Sequence, residues 1–239
     1  MSSHGAEVSS QSRESSSSSS SQIRPSVVLR SLVPLANALT QFFGEACEVV
    51  IHDFSDLDAS IIHITGNVTG RKLGGPLTDL GLAILRQGQV PDAVLDYPTY
   101  TQDGRRLRSS SVFFKDETGS PFGCICVNVD PACLAGTSKL RPSADEVEHE
   151  LVETFADSPE AVIASMFERL TSERGRPASR MSRQERIELV RRLDRAGAFY
   201  LRRAPDCVAR MLGVTRATVY AYLRASNNAT RGKEILDGR

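Results

Sequence analysis

The stretch Pro205–Arg224, PDCVARMLGVTRATVYAYLR, decides how the rest of the chain is read. Pro205 suits the opening of a helix, where its missing N–H would have no partner anyway. Val208, Ala209 and Leu212 then share one face at helical spacing. Gly213 can take a positive φ and end that helix after two turns. Thr215 is a good N-cap for a second helix, its hydroxyl placed to accept the free N–H of Thr218. In that second helix Val219, Tyr222 and Leu223 should face inward, leaving Arg216, Ala217, Tyr220, Ala221 and Arg224 outward. Two short helices, a glycine turn and a small residue, Ala209, at the crossing describe a helix-turn-helix.

The outward set suits double-stranded DNA. A helix N-terminus attracts phosphate. Arg216 can reach phosphate or the O6/N7 edge of guanine, and Ala217 or Ala221 can meet a thymine methyl. Thr215, Thr218 and Tyr220 offer hydroxyls to the backbone, and Arg224 adds a cation. The competing reading is two packed helices of an all-α subdomain with no ligand. One short helix reads too few bases for useful specificity, so a homodimer on a palindromic operator is expected, with half-sites ~34 Å apart.

Charge supports that division of labour. The chain has 239 residues and a formal net charge of zero. Residues 1–168 nevertheless carry 12 Lys+Arg against 22 Asp+Glu, and residues 169–239 carry 17 against 7. A basic C-terminal third beside an acidic remainder fits a nucleic-acid module joined to one that stays off DNA. The five cysteines (Cys47, Cys124, Cys126, Cys133 and Cys207) form no CxxC, and their odd number argues against a disulfide framework. Cys124 and Cys126 read as small buried hydrophobes. The four histidines show no metal-ligand spacing, and no cofactor is indicated. With no signal peptide and no 18-residue apolar run, a soluble cytoplasmic protein without a membrane partner is expected.

Residues 1–25 are serine-dominated and expected to be disordered. From Val27 to Phe43 the apolar spacing predicts one amphipathic helix ending at Gly44. Glu48–Asp53 and Ser60–Thr65 read as an antiparallel strand pair, and a helix is expected after Pro76 as far as Gly88. Tyr97–Thr101, Arg106–Phe114 and Phe122–Val129 read as three further strands, with Pro98 confining the first to an edge. The fold class is α+β. Residues 26–131 form a PAS-like antiparallel sheet sensor domain with helices on one face. A helical linker or dimerisation region, 132–180, follows, with helices at Ser143–Phe155 and from Pro159. The apolar stripe Val162, Ile163, Met166, Phe167 and Leu170 is either core or a dimer seam, with the seam slightly favoured. Gly175–Ser182 reads as a hinge. An all-α helix-turn-helix domain, 181–226, has Ser182 capping its first helix, and 227–239 is a flexible tail.

Polar residues in the first domain sit oddly among apolar ones. His52 and Asp53 close a strand; Asn67, Thr69 and Arg71 lie in a glycine-rich loop; Thr78 and Asp79 begin a helix. Arg108, Ser109 and Ser110 interrupt one strand and Asn128 another. Converging, they would offer a carboxylate to an ammonium or guanidinium group and an arginine to a carboxylate, which suits an amino acid or similar zwitterion. The competing reading is that these groups pin the loop and satisfy the backbone.

EVVIHDFSD (Glu48–Asp56), VTGRKLGGPLTDL (Val68–Leu80), DGRRLRSSSVFF (Asp103–Phe114), GCICVNVD (Gly123–Asp130), FADSPEAVIASMFERL (Phe155–Leu170) and VARMLGVTRATVYAYL (Val208–Leu223) together resemble the YheO-like PAS plus helix-turn-helix transcriptional regulators. The chain departs from that pattern at Thr65, Gly66 and Asn67, where the family commonly has Asn-Gly and a polar residue. The resemblance implies a bacterial ligand-responsive regulator, often a repressor, here of amino-acid catabolism with D-amino acids included. Two alternatives stay open. The sensor domain could serve only dimerisation in a constitutive DNA-binding protein. An enzyme is disfavoured, because no nucleophile–base order, HExxH or phosphate loop is present.

Overall fold

The computed structural model describes residues 24–134, 153, 155–172 and 178–225. Most of the expected serine-rich tail, most of the expected helix at 143–155, part of the hinge and the C-terminal tail lie outside them; Pro25, the last residue of that tail, instead opens a helix. Phe155, where that helix was to end, is described and is not helical.

Two short helices replace the single one expected at the start: α1 (Pro25–Ser31) and α2 (Val33–Phe43). The break falls at Leu32, because Pro34 lacks an N–H and restrains the residues before it. By length and composition alone Pro25–Ala46 could cross a membrane, contrary to the expectation that no such stretch is present. Here it is folded onto a sheet, with Leu29 and Ala36 buried and Val27, Leu35 and Phe42 exposed.

Five strands follow in antiparallel pairing: β1 (Cys47–Asp53), β2 (Ile61–Thr65), β3 (Ala93–Tyr100), β4 (Arg106–Lys115) and β5 (Pro121–Val129). Their order in the sheet is β2-β1-β5-β4-β3. Pro98 lies on the edge strand β3, as its missing donor requires. That strand begins earlier than expected, at Ala93, and its register shifts where Asp96 takes φ 54°. Helix α3 (Asp79–Gln87) is capped by the Thr78 hydroxyl, which accepts from Gly81 N at 3.2 Å.

Helices cover both faces of the sheet, not one. Alternate residues of β1 therefore enter two different cores. Val49 and Ile51 pack with Leu29, Ala36 and Ile125 under α1 and α2. Val50 joins Leu77, Leu80, Leu82 and Phe113 beneath α3. This second core continues into the C-terminal helices α4 (Pro159–Ser172), α5 (Arg183–Arg195) and α6 (Ala204–Leu212) and the helical residues 216–225, here α7. The α4 stripe Val162, Ile163, Met166, Phe167 and Leu170 is buried in it. The stripe is core, and the slight preference for a dimer seam there is overturned.

Ion pairs and one close backbone approach join the two parts. Arg86 of α3 reaches Asp194 of α5 at 2.6 Å, Arg169 of α4 reaches Asp79 at 2.8 Å, and Arg202 pairs with Asp56 and Asp58. Gly197, at φ 81°, lies so near α3 that an added Cβ would stand 2.5 Å from the Leu82 carbonyl oxygen.

Candidate nucleic-acid interface and sensor interior

Ser182 opens α5 with a full capping box: its hydroxyl accepts from Glu185 N, and the Glu185 carboxylate accepts from Ser182 N. Helix α6 starts at Ala204, one residue before Pro205. It ends at Gly213 (φ 64°, ψ 37°), where Val214 N donates to Ala209 O at 2.9 Å. That left-handed step turns the chain into α7. Thr215 Oγ1 accepts from Thr218 N at 3.2 Å, which caps α7 as the sequence led one to expect.

On α7, Val219 and Tyr222 are buried and Leu223 is half-buried against the core. Thr215, Arg216, Ala217, Tyr220, Ala221 and Arg224 are exposed, with Thr218 half-buried. Arg216 does not wave freely. Its Nη2 donates to Tyr220 Oη at 3.3 Å, its guanidinium lies 5.6 Å from the Tyr220 ring centroid, and its Nη1 stands 3.3 Å from Asp206. The cation is thus preset on the outer surface of α7 beside one carboxylate of α6.

In the first part of the chain, the inner face of the sheet also carries buried polar groups beside its apolar core. Glu48, wholly buried, accepts from Val68 N and Thr69 N at 3.0 Å each, from Thr69 Oγ1 at 2.6 Å and from Asn128 Nδ2 at 3.1 Å. Ser109 Oγ donates to Asn128 Oδ1 at 2.8 Å, and Thr99 and Ser109 share a hydroxyl bond at 2.6 Å. This network fastens the glycine-rich loop to the sheet, so Thr69 and Asn128 have structural partners already. Asp79 is likewise occupied, accepting from Leu80 N and Arg169.

Arg71 and His52 stand beside that network. Arg71 is 5% exposed, donates through Nη2 to Pro76 O, and stacks at 6.0 Å from the Phe155 ring centroid. His52 is wholly buried, with Nδ1 2.8 Å from Ser60 Oγ, and burial together with the Arg71 charge holds its pKa well below the usual range. Glu153 accepts from Tyr97 Oη at 3.2 Å, and Tyr97 also contacts Ser111 at 2.9 Å. Burial raises the Glu153 carboxyl to about 7, the Asp79 charge adding to this, against the pull of Thr78, Arg71 and Tyr97.

Four residues of the expected pocket lie elsewhere. Asp53 accepts from Ser55 N in a turn and Asn67 is exposed. Arg108 is clamped at 2.6 and 2.7 Å by Asp96, and Ser110 accepts from Asp96 N. The reason is strand parity: on β4 the residues 107, 109, 111 and 113 face inward, so 108 and 110 cannot. The same parity on β3 and β4 keeps Ser109, which the sequence had singled out, and would have added Tyr97, Thr99 and Ser111. Glu48 reads as a strand's first polar residue and Glu153 as part of a helix, so neither stood out.

The YheO-like PAS domain family matches residues 21–141, half of the chain, and an HTH domain family matches residues 162–224. The chain belongs to the YheO-like PAS domain family. Its relatives align with most of this chain and over most of their own length. The protein YheO of Escherichia coli (strain K12) is 27% identical over 203 residues, which cover 82% of this chain and 84% of that one. A Haemophilus influenzae protein is 25% identical over 199 residues, 82% and 90% of the two chains. The transcriptional regulator DauR of Pseudomonas aeruginosa is 26% identical over 201 residues, 80% and 90%. A YheO-like PAS domain followed by a DNA-binding helix-turn-helix is the make-up of a transcriptional regulator.

Proposed function

We propose that this protein is a ligand-responsive repressor of genes for amino-acid breakdown, D-amino acids included, acting in the cytoplasm without catalysing a reaction. It binds a palindromic operator as a homodimer, through α7 of each copy. The observation that carries the reading is the exposed outer face of α7, where Arg216, Tyr220 and Arg224 stand clear of the core. The name of the relative DauR supports the regulatory role. Because α4 is spent inside the chain, the two copies meet through another face. A small-molecule effector shifts the balance between operator-competent and incompetent arrangements, which requires different affinity for the two.

Genome-wide footprinting of the bound sites tests this reading. It should return inverted half-sites one helical turn apart, upstream of amino-acid catabolic genes. Footprints with no shared sequence would sink the specific-repressor reading.

A further inference from the structure

Two polar atoms on the inner side of the sheet have no partner among the described residues although both are sealed from water: His52 Nε2 of β1 and Arg71 Nε of the loop after β2. A buried donor lacking its acceptor costs about 1–3 kcal/mol, so a native chain rarely keeps one unless something else supplies the acceptor. The two belong to one neighbourhood, since the Arg71 charge is felt at His52 and at Glu48, Cys124, Cys126 and Glu153. Of the acids, Glu48 is consumed by its four hydrogen bonds. Glu153 remains to face Arg71, with the Tyr97 hydroxyl beside it.

We propose that this interior, centred on Arg71, His52 and Glu153, is the effector site, and that it takes a small zwitterion of the α-amino acid class. The proposal rests on the ligand-responsive reading above. The ligand carboxylate accepts from Arg71 Nε and from His52 Nε2–H, while His52 Nδ1 accepts from Ser60. The ligand ammonium donates to Glu153 and to Tyr97 Oη. Charge balance favours this class: a zwitterion brings no net charge into the interior, whereas a bare carboxylate or amine brings one and leaves Glu153 or Arg71 without its counter-charge. The same site reports to the DNA-binding helices. Glu153 and Phe155, the ring under Arg71, lie on the stretch leading into α4, and Arg169 of α4 holds Asp79, whose charge acts on Glu153.

The test is isothermal titration calorimetry on the full-length, ligand-stripped protein with L- and D-enantiomers of the standard amino acids. The best binder is then compared with its own amide, which lacks the carboxylate, and with its deaminated acid. At least one amino acid should bind saturably, and both analogues should bind at least about tenfold more weakly. Arg71→Lys and the conservative Tyr97→Phe should each cost about tenfold or more. At pH 7, titrations in buffers of different ionisation enthalpy should show proton release, because an ammonium favours ionised Glu153, and Glu153→Gln should abolish it. Equal binding of amide and parent, or wild-type binding by both Tyr97→Phe and Glu153→Gln, would overturn the proposal. So would the absence of any amino-acid binder. Operator binding by the same preparation separates the two readings: retained DNA binding without amino-acid binding removes this site alone, while its loss removes the DNA reading.

Discussion

At Glu153 a single carboxyl is cut off from water, and its acidity registers the fold. Its pKa rises from the ordinary 4.5 to about 7. A group whose folded pKa is raised contributes its stability fully below the unfolded pKa and loses it as pH climbs through the folded one. Glu153→Gln, which cannot ionise, should therefore melt above wild type at pH 8, by the equivalent of about 1–3 kcal/mol. The gap should close between pH 7 and pH 4.5; an offset independent of pH would mean the carboxyl is hydrated. At Arg216 the prediction concerns DNA. Arg216→Ala should cost about 1–3 kcal/mol of operator binding if the guanidinium reads a base, and a uniform loss with a shallower salt slope if it touches phosphate. Asp206→Asn removes the carboxylate that competes for Arg216. Operator affinity should rise about twofold to fivefold, in keeping with the small worth of exposed ion pairs. The outward-facing set of α7 was legible in the sequence because the helix has one apolar stripe and everything else must face out. The buried polar groups of the first domain were less so: burial decides whether a polar group is a partner or an orphan, and spacing alone does not reveal burial.

Among the elements, two glycines with left-handed backbones separate local strain from packing. Gly213 has open space where a Cβ would go, whereas Gly197 would drive one against the Leu82 carbonyl. Gly213→Ala should cost only the left-handed penalty, about 1–2 kcal/mol. Gly197→Ala adds a backbone clash and should melt several degrees lower again; equal losses would mean that α3 and the Gly197 turn part easily. The caps at Thr215 and Ser182 and the five strands were readable because each rests on chemistry within a few residues. What escaped were features set by distant partners. Pro34 splits the first helix, the stripe on α4 turns inward because α3, α5 and α6 are there to receive it, and β4 presents 109 and 111, not 108 and 110, to the interior.

At the scale of the whole molecule, the apolar core beneath α3 runs without interruption into α4, α5 and α6. Composition and charge divide the chain into an acidic and a basic part, yet give no sign that the parts share a core, since long-range contacts leave no local pattern. Calorimetric unfolding should accordingly show one cooperative transition. Two resolved transitions would mean that the PAS and helix-turn-helix parts fold independently and that Arg86–Asp194 and Arg169–Asp79 contribute little between them.

The cysteines give this architecture a built-in clock. Cys133 is exposed, whereas Cys47, Cys124, Cys126 and Cys207 are buried. A water-soluble alkylating reagent should thus consume one thiol at once and the others only as fast as the chain breathes. Three of the slow thiols lie in strands and the fourth in α6. Mapping the alkylated peptides over time would give separate opening rates for the sheet and for the DNA-binding helices, with no engineered label.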